Sequence, residues 1–529
     1  MKKGLLLLIS FVFFVGIIAG CSGGVSETQG NEGDSESGSS GGDTLIVGLA
    51  GDPQTFNPDA RADDFLYPIA QNVFSRLVKL NNNQEIIPDL AEKWEFNDDG
   101  TEITFHLNEN VKWHDGKDFT SADVKFTLDS IKNNNGYAVS NLKSMEEVST
   151  PDDNTVVIKL SNPDATFLGY LAWYATFILP EHVYSGENWD SGTNIEPIGT
   201  GPFKFSEYTT SVNVTLERNN EYFGQVPYVD RLVFSIIPDP NTLVQAFYNG
   251  EVDIFGGSPP SSEIEKMKND PNIEGESKVW PSRQYLVFNF EKEPFNQLEV
   301  RQAIAYALDN VEIVSKAQKG DGQVAEHFLS PVYNWAITNE YKIPEYNPEK
   351  AKELLEQAGY TPDKNGNYLN ITFDVFESGS NADMGTVIKD QLRQVGINVE
   401  LNILEYATWQ QKVKDNADFE MSMLGGYQGP DVGSISPRIS SEGSNNLSLY
   451  KNTELDELLV KGAQLVTEEE RAPIYQDIQR ILAEDLPIYP ISEWVGYSPV
   501  HSYVKGDPSS DEAIQSTGFS EYNYVKIEK

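Results

Sequence analysis

The sequence predicts a mixed α/β fold divided into two or three lobes. Strand-like and helix-like segments alternate along the chain without a fixed repeat period, which is typical of α/β lobes. Hydrophobic residues make up 39% of the chain and aromatic residues 11%, as in a packed globular protein. With 529 residues, the chain is also longer than a single hydrophobic core usually organises.

The N-terminus has the pattern of a secretion signal followed by a lipid attachment site. Lys2 and Lys3 precede an apolar stretch from Leu5 to Ala19, which is short for a membrane span. Cys21, the only cysteine in the sequence, follows directly after the small residues Ala19 and Gly20. We therefore predict that residues 1–20 are a cleaved signal peptide and that Cys21 carries the lipid.

A polar segment separates this predicted anchor from the first strand. Residues 22–42 are mostly Gly, Ser and acidic residues, and Val25 is their only aliphatic side chain. Such a segment buries too little apolar surface to offset its ordering entropy, so residues 21–43 are predicted to be a lipid-anchored flexible linker. The β-branched and apolar run Thr44–Val47 predicts the first buried strand.

The charge of the chain limits the possible partners. The sequence contains 81 acidic and 39 basic residues, which gives a formal net charge of −42. This charge repels nucleic acids and anionic lipid headgroups, so no nucleic-acid partner is predicted and membrane attachment is expected from the lipid alone. A single cysteine also excludes a disulfide within the chain.

Local signals predict the main elements in order. Alternating apolar residues on both sides of Asn97–Gly100 predict a hairpin over Trp94–Leu107, and Thr120 and Asp123 form a capping box before a helix. Apolar stripes with caps or glycine stops predict further helices around Val300–Leu308, Asn347–Ala358, Met384–Val395 and Thr467–Leu482, and a strand over Ile397–Ile403.

Sequence motifs of catalysis are absent. The chain lacks HExxH, GxSxG and a phosphate loop ending in Gly-Lys-Ser/Thr. Gly199–Phe203 predicts a tight turn into a strand, and Asp363–Gly366 predicts a turn because a calcium loop would need a closing glutamate further on. The five histidines show no ligand spacing. No enzyme, metal ion or cofactor is therefore predicted.

Aromatic residues provide the positive signal. Several lie in the second half of the chain beside Gly, Ser or Pro, where turns could carry them to a cleft wall. Core packing is the alternative for each of them. They are Trp280, Tyr285, Tyr406, Trp409, Tyr427, Trp494 and Tyr497.

A set of motifs follows in a fixed order along the chain. It begins in Trp94–Ile131, which contains Val111-Lys112-Trp113-His114-Asp115-Gly116. It continues through Gly199–Phe203, Gly250–Ile254, Arg301–Asp309, Asn347–Tyr360 and Gly396–Val399. In this order the motifs resemble the family 5 extracellular solute-binding proteins, the peptide- and nickel-type receptors of ABC importers. The resemblance covers essentially the whole chain beyond the predicted linker.

The resemblance implies a two-lobed periplasmic-binding-protein-like fold (type II, cluster C) with an extra subdomain inserted in the first lobe. Lobe I would consist of residues 44–80, 199–281 and 499–529, and the inserted subdomain of residues 81–198. Lobe II would run over residues 282–498. The lobes would close on a ligand, and the protein would act as a monomer.

The resemblance also suggests ligand contacts. Members use an aromatic residue in the segment that matches Glu405–Trp409, and a further aromatic followed by an aspartate that holds a peptide's α-amino group. In this chain these correspond to Tyr427 and Asp431; a turn aspartate is the alternative for Asp431. The loop Glu377–Asn381 lacks the arginine of dipeptide binders, which favours longer peptides. The predicted ligand-binding residues are Tyr406, Trp409, Tyr427, Asp431, Trp280, Tyr285 and Trp494.

The expected function is that of a substrate-binding lipoprotein at the outer face of the cytoplasmic membrane, on the periplasmic side if an outer membrane is present. It would capture an extracellular oligopeptide in an interlobe cleft and deliver it to the permease subunits of an ABC importer. An oligosaccharide receptor of the same family is the first alternative, and nickel or haem ranks lower. A secreted hydrolase using two carboxylates and a surface sensor or adhesin are the alternatives from other classes.

Overall fold

The computed structural model describes residues 43–81, 85–173, 175–319, 322–377, 380–465, 467–506, 515–516 and 519–529. The predicted signal peptide, Cys21 and almost all of the predicted linker lie outside these residues. Within the described ranges, no helix combines the length and the apolar character needed to cross a bilayer.

The strands of the described residues follow in chain order. They are β1 (Thr44–Leu49), β2 (Val78–Leu80), β3 (Ile86–Pro88), β4 (Ala91–Phe96), β5 (Glu102–Leu107), β6 (Met145–Asp152), β7 (Thr155–Leu160), β8 (Phe203–Thr209), β9 (Asn213–Arg218), β10 (Arg231–Ile236), β11 (Ile273–Glu274), β12 (Ser277–Phe288), β13 (Gly322–Val324), β14 (Leu369–Phe376), β15 (Ile397–Leu404), β16 (Met421–Tyr427), β17 (Ile488–Tyr497), β18 (Val500–His501), β19 (Val504–Lys505), β20 (Gln515–Ser516), β21 (Phe519–Ser520) and β22 (Lys526–Ile527).

The α-helices of the same residues are α1 (Tyr67–Val73), α2 (Ser121–Asn133), α3 (Phe167–Leu171), α4 (Glu181–Tyr184), α5 (Pro240–Tyr248), α6 (Ser261–Lys268), α7 (Leu298–Ala307), α8 (Asn310–Ala317), α9 (Pro348–Gln357), α10 (Asn381–Gln394), α11 (Tyr406–Trp409), α12 (Ser436–Ile439), α13 (Thr453–Gln464) and α14 (Glu468–Asp485). Short 3-10 helices lie at Tyr137–Ser140, Gly186–Asp190, Pro331–Ala336 and Val432–Ile435, and a π-helical turn at Gln410–Asp415 extends α11.

The first sheet joins distant parts of the chain in the order β1-β10-β9-β8. β1 pairs with β10 in parallel, from Thr44 opposite Arg231 to Leu49 opposite Ile236. This confirms the predicted strand at Thr44. β8 begins at Phe203, directly after Gly199–Pro202, so the prediction of a turn into a strand is also confirmed.

A second sheet, β4-β5-β7-β6, lies within the predicted inserted subdomain. β4 and β5 form the predicted hairpin, with Trp94 opposite Phe105. Helix α2 follows with the predicted capping box, in which the backbone N–H of Thr120 donates to Asp123 (3.0 Å). Local sequence patterns were sufficient to predict the hairpin and the capping box, because the contacts that form each of them join residues that are close in sequence.

The largest sheet has the order β13-β17-β12-β16-β14-β15. β14, α10 and β15 form a parallel unit in which α10 ends before Gly396 (φ +79°), as the sequence predicted. Two predicted helices are confirmed in the same region. α9 begins with Pro348, and α14 is capped by Thr467. The strands and helices together confirm a mixed α/β architecture.

The hydrophobic cores do not divide the chain in the same way as the sheets. One continuous core contains both Leu45 of the first sheet and Phe105 of the second, and another surrounds the six-stranded sheet. The first sheet and the predicted subdomain therefore share their packing, and the subdomain does not have a separate core.

Two adjacent strands connect the halves of the molecule. β12 and β17 pair antiparallel, from Ser277 opposite Tyr497 to Val287 opposite Ile488. Their register shifts between Val279 and Arg283, around Pro281, whose ring nitrogen cannot donate to the ladder. The predicted lobe boundary after residue 281 falls inside β12, at this irregularity.

Candidate functional site

A cleft with a volume of about 610 Å³ lies between the part of the molecule that contains the second sheet and the part that contains the six-stranded sheet. One wall includes Phe96, Leu168 and Gly169, and the opposite wall includes Trp335 and Asp431. Residues 278–281 of β12 also line the cleft, next to the irregular pairing with β17. The volume is within the range of small-ligand sites.

Asp431 is held by an arginine in the second wall of this cleft. Thr467 caps α14 by accepting the backbone N–H of Glu470, and Arg471 lies in the first turns of that helix. Its Nη1 donates to Oδ2 of Asp431 (2.8 Å) and its Nη2 to Oδ1 (2.6 Å). The backbone N–H of Gly433 donates to the same Oδ1 (2.7 Å). The carboxylate therefore has a bidentate ion pair and a turn hydrogen bond.

The guanidinium of Arg471 is itself fixed from several sides. Nε donates to the carbonyl of Gly462 (3.0 Å), and the guanidinium carbon lies 5.2 Å from the ring centre of Trp335 and 5.4 Å from that of Tyr475. Burial alone would lower the pKa of Arg471, but the charge of Asp431 and its hydrogen bonds outweigh burial, so this pKa is raised. The guanidinium of Arg471 therefore stays charged.

Aromatic side chains surround this ion pair in the same wall. Trp335 meets Tyr475 edge to face, with the ring centres 5.9 Å apart. Tyr333 donates its hydroxyl to the carbonyl of Gly429, and burial raises the pKa of Tyr333 well above its ordinary value. Tyr333 is therefore a neutral donor that fixes the loop before Asp431.

The two walls touch each other at one end of the cleft. The ring of Trp173 stacks on Tyr427 at the end of β16, and Tyr170 donates its hydroxyl to Oγ of Ser434 (3.2 Å). A Cβ atom on Gly169 would lie only 3.2 Å from Pro430. This close approach explains why α3 carries a glycine where it faces the loop.

The predicted ligand-binding residues fall into different environments. Trp280 and Asp431 line the cleft. Tyr427 lies at the contact with Trp173, and Trp494 packs on Trp280 with the ring centres 6.2 Å apart. Tyr406 is 54% exposed but is not among the residues that line the cleft.

Two of the residues predicted to contact a ligand are buried in this structure. Trp409 and Tyr285 are each only 1% exposed, so neither offers surface to a ligand in this structure. Trp409 is a core residue because its Nε1 donates to Oγ of Ser422 (2.9 Å) while Tyr406 covers one of its faces. Tyr285 faces inward from β12 into the core of the six-stranded sheet.

Two residues of the cleft were missed by the sequence reasoning. Arg471 follows the cap of α14, and Trp335 lies in a short 3-10 helix. The sequence around each of them is that of an ordinary surface or core position, so no local pattern indicates a ligand site. The sequence indicated where α14 begins. It did not indicate that the first turns of this helix face the loop that carries Asp431.

Comparison with known proteins identifies the fold and the family. Residues 85–446 match the family model of bacterial extracellular solute-binding proteins, family 5. The chain is 32% identical to heme-binding protein A of Haemophilus influenzae, over 93% of this chain and 94% of that protein. It is 30% identical to the oligopeptide-binding protein AppA of Bacillus subtilis, over 92% of each chain.

Solved structures agree with these matches. An ABC transporter substrate-binding protein from Listeria monocytogenes, CtaP, superimposes with a TM-score of 0.82 at 29% identity, covering 92% of this chain and 100% of that one. AppA of Bacillus subtilis, solved in complex with a nonapeptide, superimposes with a TM-score of 0.71 at 26% identity, covering 92% and 99%. The periplasmic-binding-protein-like fold predicted from the sequence is confirmed. The chain belongs to the bacterial extracellular solute-binding proteins of family 5.

Proposed function

We propose that this protein captures an extracellular oligopeptide in the cleft and delivers it to the permease of an ABC importer. One observation carries this proposal: an aromatic and charged cleft of about 610 Å³ is lined by residues from both sides of the molecule. A ligand there touches both walls only when the walls are together, so binding favours the closed state. A permease can then distinguish loaded from empty protein.

Peptide is favoured as the ligand by the wall chemistry and by the relatives. Trp280 and Trp335 offer aromatic surface, while Lys278 and Glu468 add charged groups of both signs to the same cavity. Relatives named for oligopeptide and dipeptide binding match over most of this chain. An oligosaccharide is the alternative, because aromatic rings also bind sugar faces.

Haem is a second candidate because one relative is a heme-binding protein. Haem iron takes an axial ligand from His, Cys, Met or Tyr. Among the described residues that line the cleft, Tyr333 is the one side chain of these types, and its hydroxyl already donates to Gly429. Because this hydroxyl is already engaged in a hydrogen bond, haem is a weaker candidate ligand than peptide.

The ligand class is tested by the purified protein itself. Native mass spectrometry identifies any co-purified ligand, and thermal unfolding then compares a peptide library with an oligosaccharide series and with haemin. A ligand at 100 times its dissociation constant stabilises the native state by about 2.7 kcal/mol. Stabilisation by oligosaccharides or haemin without stabilisation by any peptide would contradict the peptide proposal. Recovery of cleaved peptide after incubation would indicate a hydrolase.

We also propose that Cys21 anchors the protein to the outer face of the cytoplasmic membrane through the linker of residues 21–43. The support is the signal-like N-terminus, since this part of the chain lies outside the described residues. Replacement of Cys21 by Ala should abolish incorporation of labelled palmitate and release the protein from the membrane fraction. Continued palmitate incorporation into the C21A protein would contradict the assignment.

The lobes are proposed to be residues 44–80, 199–281 and 499–529 for lobe I, 81–198 for the inserted subdomain and 282–498 for lobe II. The two four-stranded sheets support this proposal, because the strands of each lie within one of these parts. The connecting pair β12 and β17, with its register shift at Pro281, is the proposed hinge.

A further inference from the structure

The ion pair between Asp431 and Arg471 bears on which peptides the cleft accepts. Both residues line the cavity, but the side chain of Asp431 is only 16% exposed and that of Arg471 only 5%. The two parallel contacts of 2.8 and 2.6 Å balance the carboxylate charge within the protein itself. A ligand ammonium therefore meets a closed ion pair instead of a free carboxylate.

We infer that Arg471 makes binding largely independent of a free amino terminus, so that the cleft accepts N-terminally blocked peptides about as well as free ones. This inference rests on the proposed peptide function and deepens it by naming a ligand class. Arg471 acts as a specificity-determining residue through its contact with Asp431.

Geometry disfavours displacement of Arg471 by a ligand amine. The guanidinium is also bound through Nε to the carbonyl of Gly462 and lies over the rings of Trp335 and Tyr475. If Arg471 moved away from Asp431, it would lose these contacts as well. A planar guanidinium also matches a carboxylate with two hydrogen bonds, which a single ammonium cannot reproduce.

Electrostatics point in the same direction. At comparable distances, the attraction of an ammonium to Asp431 is cancelled by its repulsion from Arg471. The other charged residues that line the cleft are Glu85, Glu468 and Lys278. Both glutamates are exposed, and solvated carboxylates contribute little directional affinity for an ammonium.

The test compares a mixed tetrapeptide library with the same library after N-acetylation. Equal amounts of both are offered to the protein, the retained peptides are counted by native mass spectrometry, and dissociation constants of the best pair are measured by calorimetry. The unchanged protein should bind both forms within about threefold, whereas Arg471→Gln, which frees Asp431, should prefer the free amine by about tenfold or more.

The matched control is the double variant Asp431→Asn with Arg471→Gln, which carries the same Arg471 substitution and removes both charges. It should show no preference between the two libraries. If Arg471→Gln does not fold, Arg471→Lys, which keeps the charge and loses the planar fork, should give a smaller preference in the same direction. A tenfold preference of the unchanged protein for free amines that Asp431→Asn removes would overturn the inference.

Failure of the peptide proposal would be recognised separately, because neither library would then be retained. The pairing is in that case tested on the ligand-free protein by a double-mutant cycle in urea, with Asp431→Asn, Arg471→Gln and the double variant. Strong coupling between the two substitutions is expected. Additive effects would show that the ion pair does not form in solution, and the inference would fail.

Discussion

The indole ring of Trp173 lies parallel to the phenol ring of Tyr427, with 8° between the ring planes and 5.8 Å between the ring centres. Trp173 follows α3 in the predicted subdomain, and Tyr427 ends β16 of the six-stranded sheet. The stack therefore joins the two walls of the cleft. Tyr137 also stacks on Trp173, with the ring centres 6.2 Å apart and 27° between the ring planes.

Loss of this stack should shift the protein toward an open state. We expect Tyr427→Ala to increase the radius of gyration measured by small-angle X-ray scattering, because an aromatic pair contributes about 0.5–1.5 kcal/mol beyond its buried area. Tyr427→Phe should stay closer to the unchanged protein, since it keeps the ring and loses only the hydrogen bond of the hydroxyl with Trp173. Tyr346→Ala, at another tyrosine with 44% exposure, is the control for removing a partly exposed ring. An unchanged radius for Tyr427→Ala would show that the stack does not contribute to closure.

Affinity should depend on the aromatic residues in the cleft and not on Tyr406. Trp335→Ala is expected to weaken ligand binding by about tenfold or more, because a buried aromatic contact commonly contributes above 1 kcal/mol. Tyr406→Ala is the matched control, since this ring is exposed but does not line the cleft. Calorimetry with the ligand identified by mass spectrometry decides between them. A larger loss for Tyr406→Ala would place the binding surface elsewhere.

A buried ion pair should make Lys79 essential for stability. Nζ of Lys79 lies 3.1 Å from Oε2 of Glu521 and 3.7 Å from Oδ1 of Asp89, and these side chains are at most 7% exposed. Lys79→Met leaves two buried carboxylates without this cation, so we expect the free energy of unfolding to fall by about 3–5 kcal/mol.

The control for Lys79 adds Glu521→Gln to Lys79→Met. This substitution removes one of the two uncompensated charges and keeps an oxygen for Nε2 of Gln71, which donates to Glu521 over 3.0 Å. The double variant should regain part of the lost stability in urea unfolding, because Asp89 keeps its charge. A Lys79→Met protein that loses less than about 1 kcal/mol would contradict this account.

Stability should decrease as the pH falls below 7 because of His114. Burial lowers the pKa of His114 to about 4, and its ring accepts the backbone N–H of Gly199 (3.2 Å) while Nε2 lies 3.0 Å from the carbonyl of Gly201. The unfolded chain takes up a proton near pH 6.5 and the folded chain only near 4, so stability is lost as pH falls through this window.

The size of the His114 effect can be measured by urea unfolding at pH 7 and pH 5. His114 should contribute a loss of about 2 kcal/mol between these values. His114→Gln should be less stable at pH 7, where it lacks the native hydrogen bonds, but its stability should fall less steeply toward pH 5. Equal slopes for the two proteins would contradict the lowered pKa.

The sequence by itself determined the local structure of this protein. The capping box of Thr120 and Asp123, the hairpin turn at Asn97–Gly100 and the glycine stop at Gly396 all formed as predicted. Each of these signals depends on residues only a few positions apart, so the hydrogen bonds and backbone angles that form the motif lie within a short segment. The ordered motifs also gave the family and its fold.

Only the tertiary structure decided which side chains form the cleft. Asp431 and Arg471 are separated by 40 positions, and Tyr427 and Trp173 by many more, so their contacts depend on the packing of whole elements. The same residue type also serves different roles: Trp409 is buried and Trp335 lines the cleft. An aromatic residue buries apolar surface equally well in a core or at a ligand wall, and its sequence neighbours do not distinguish the two.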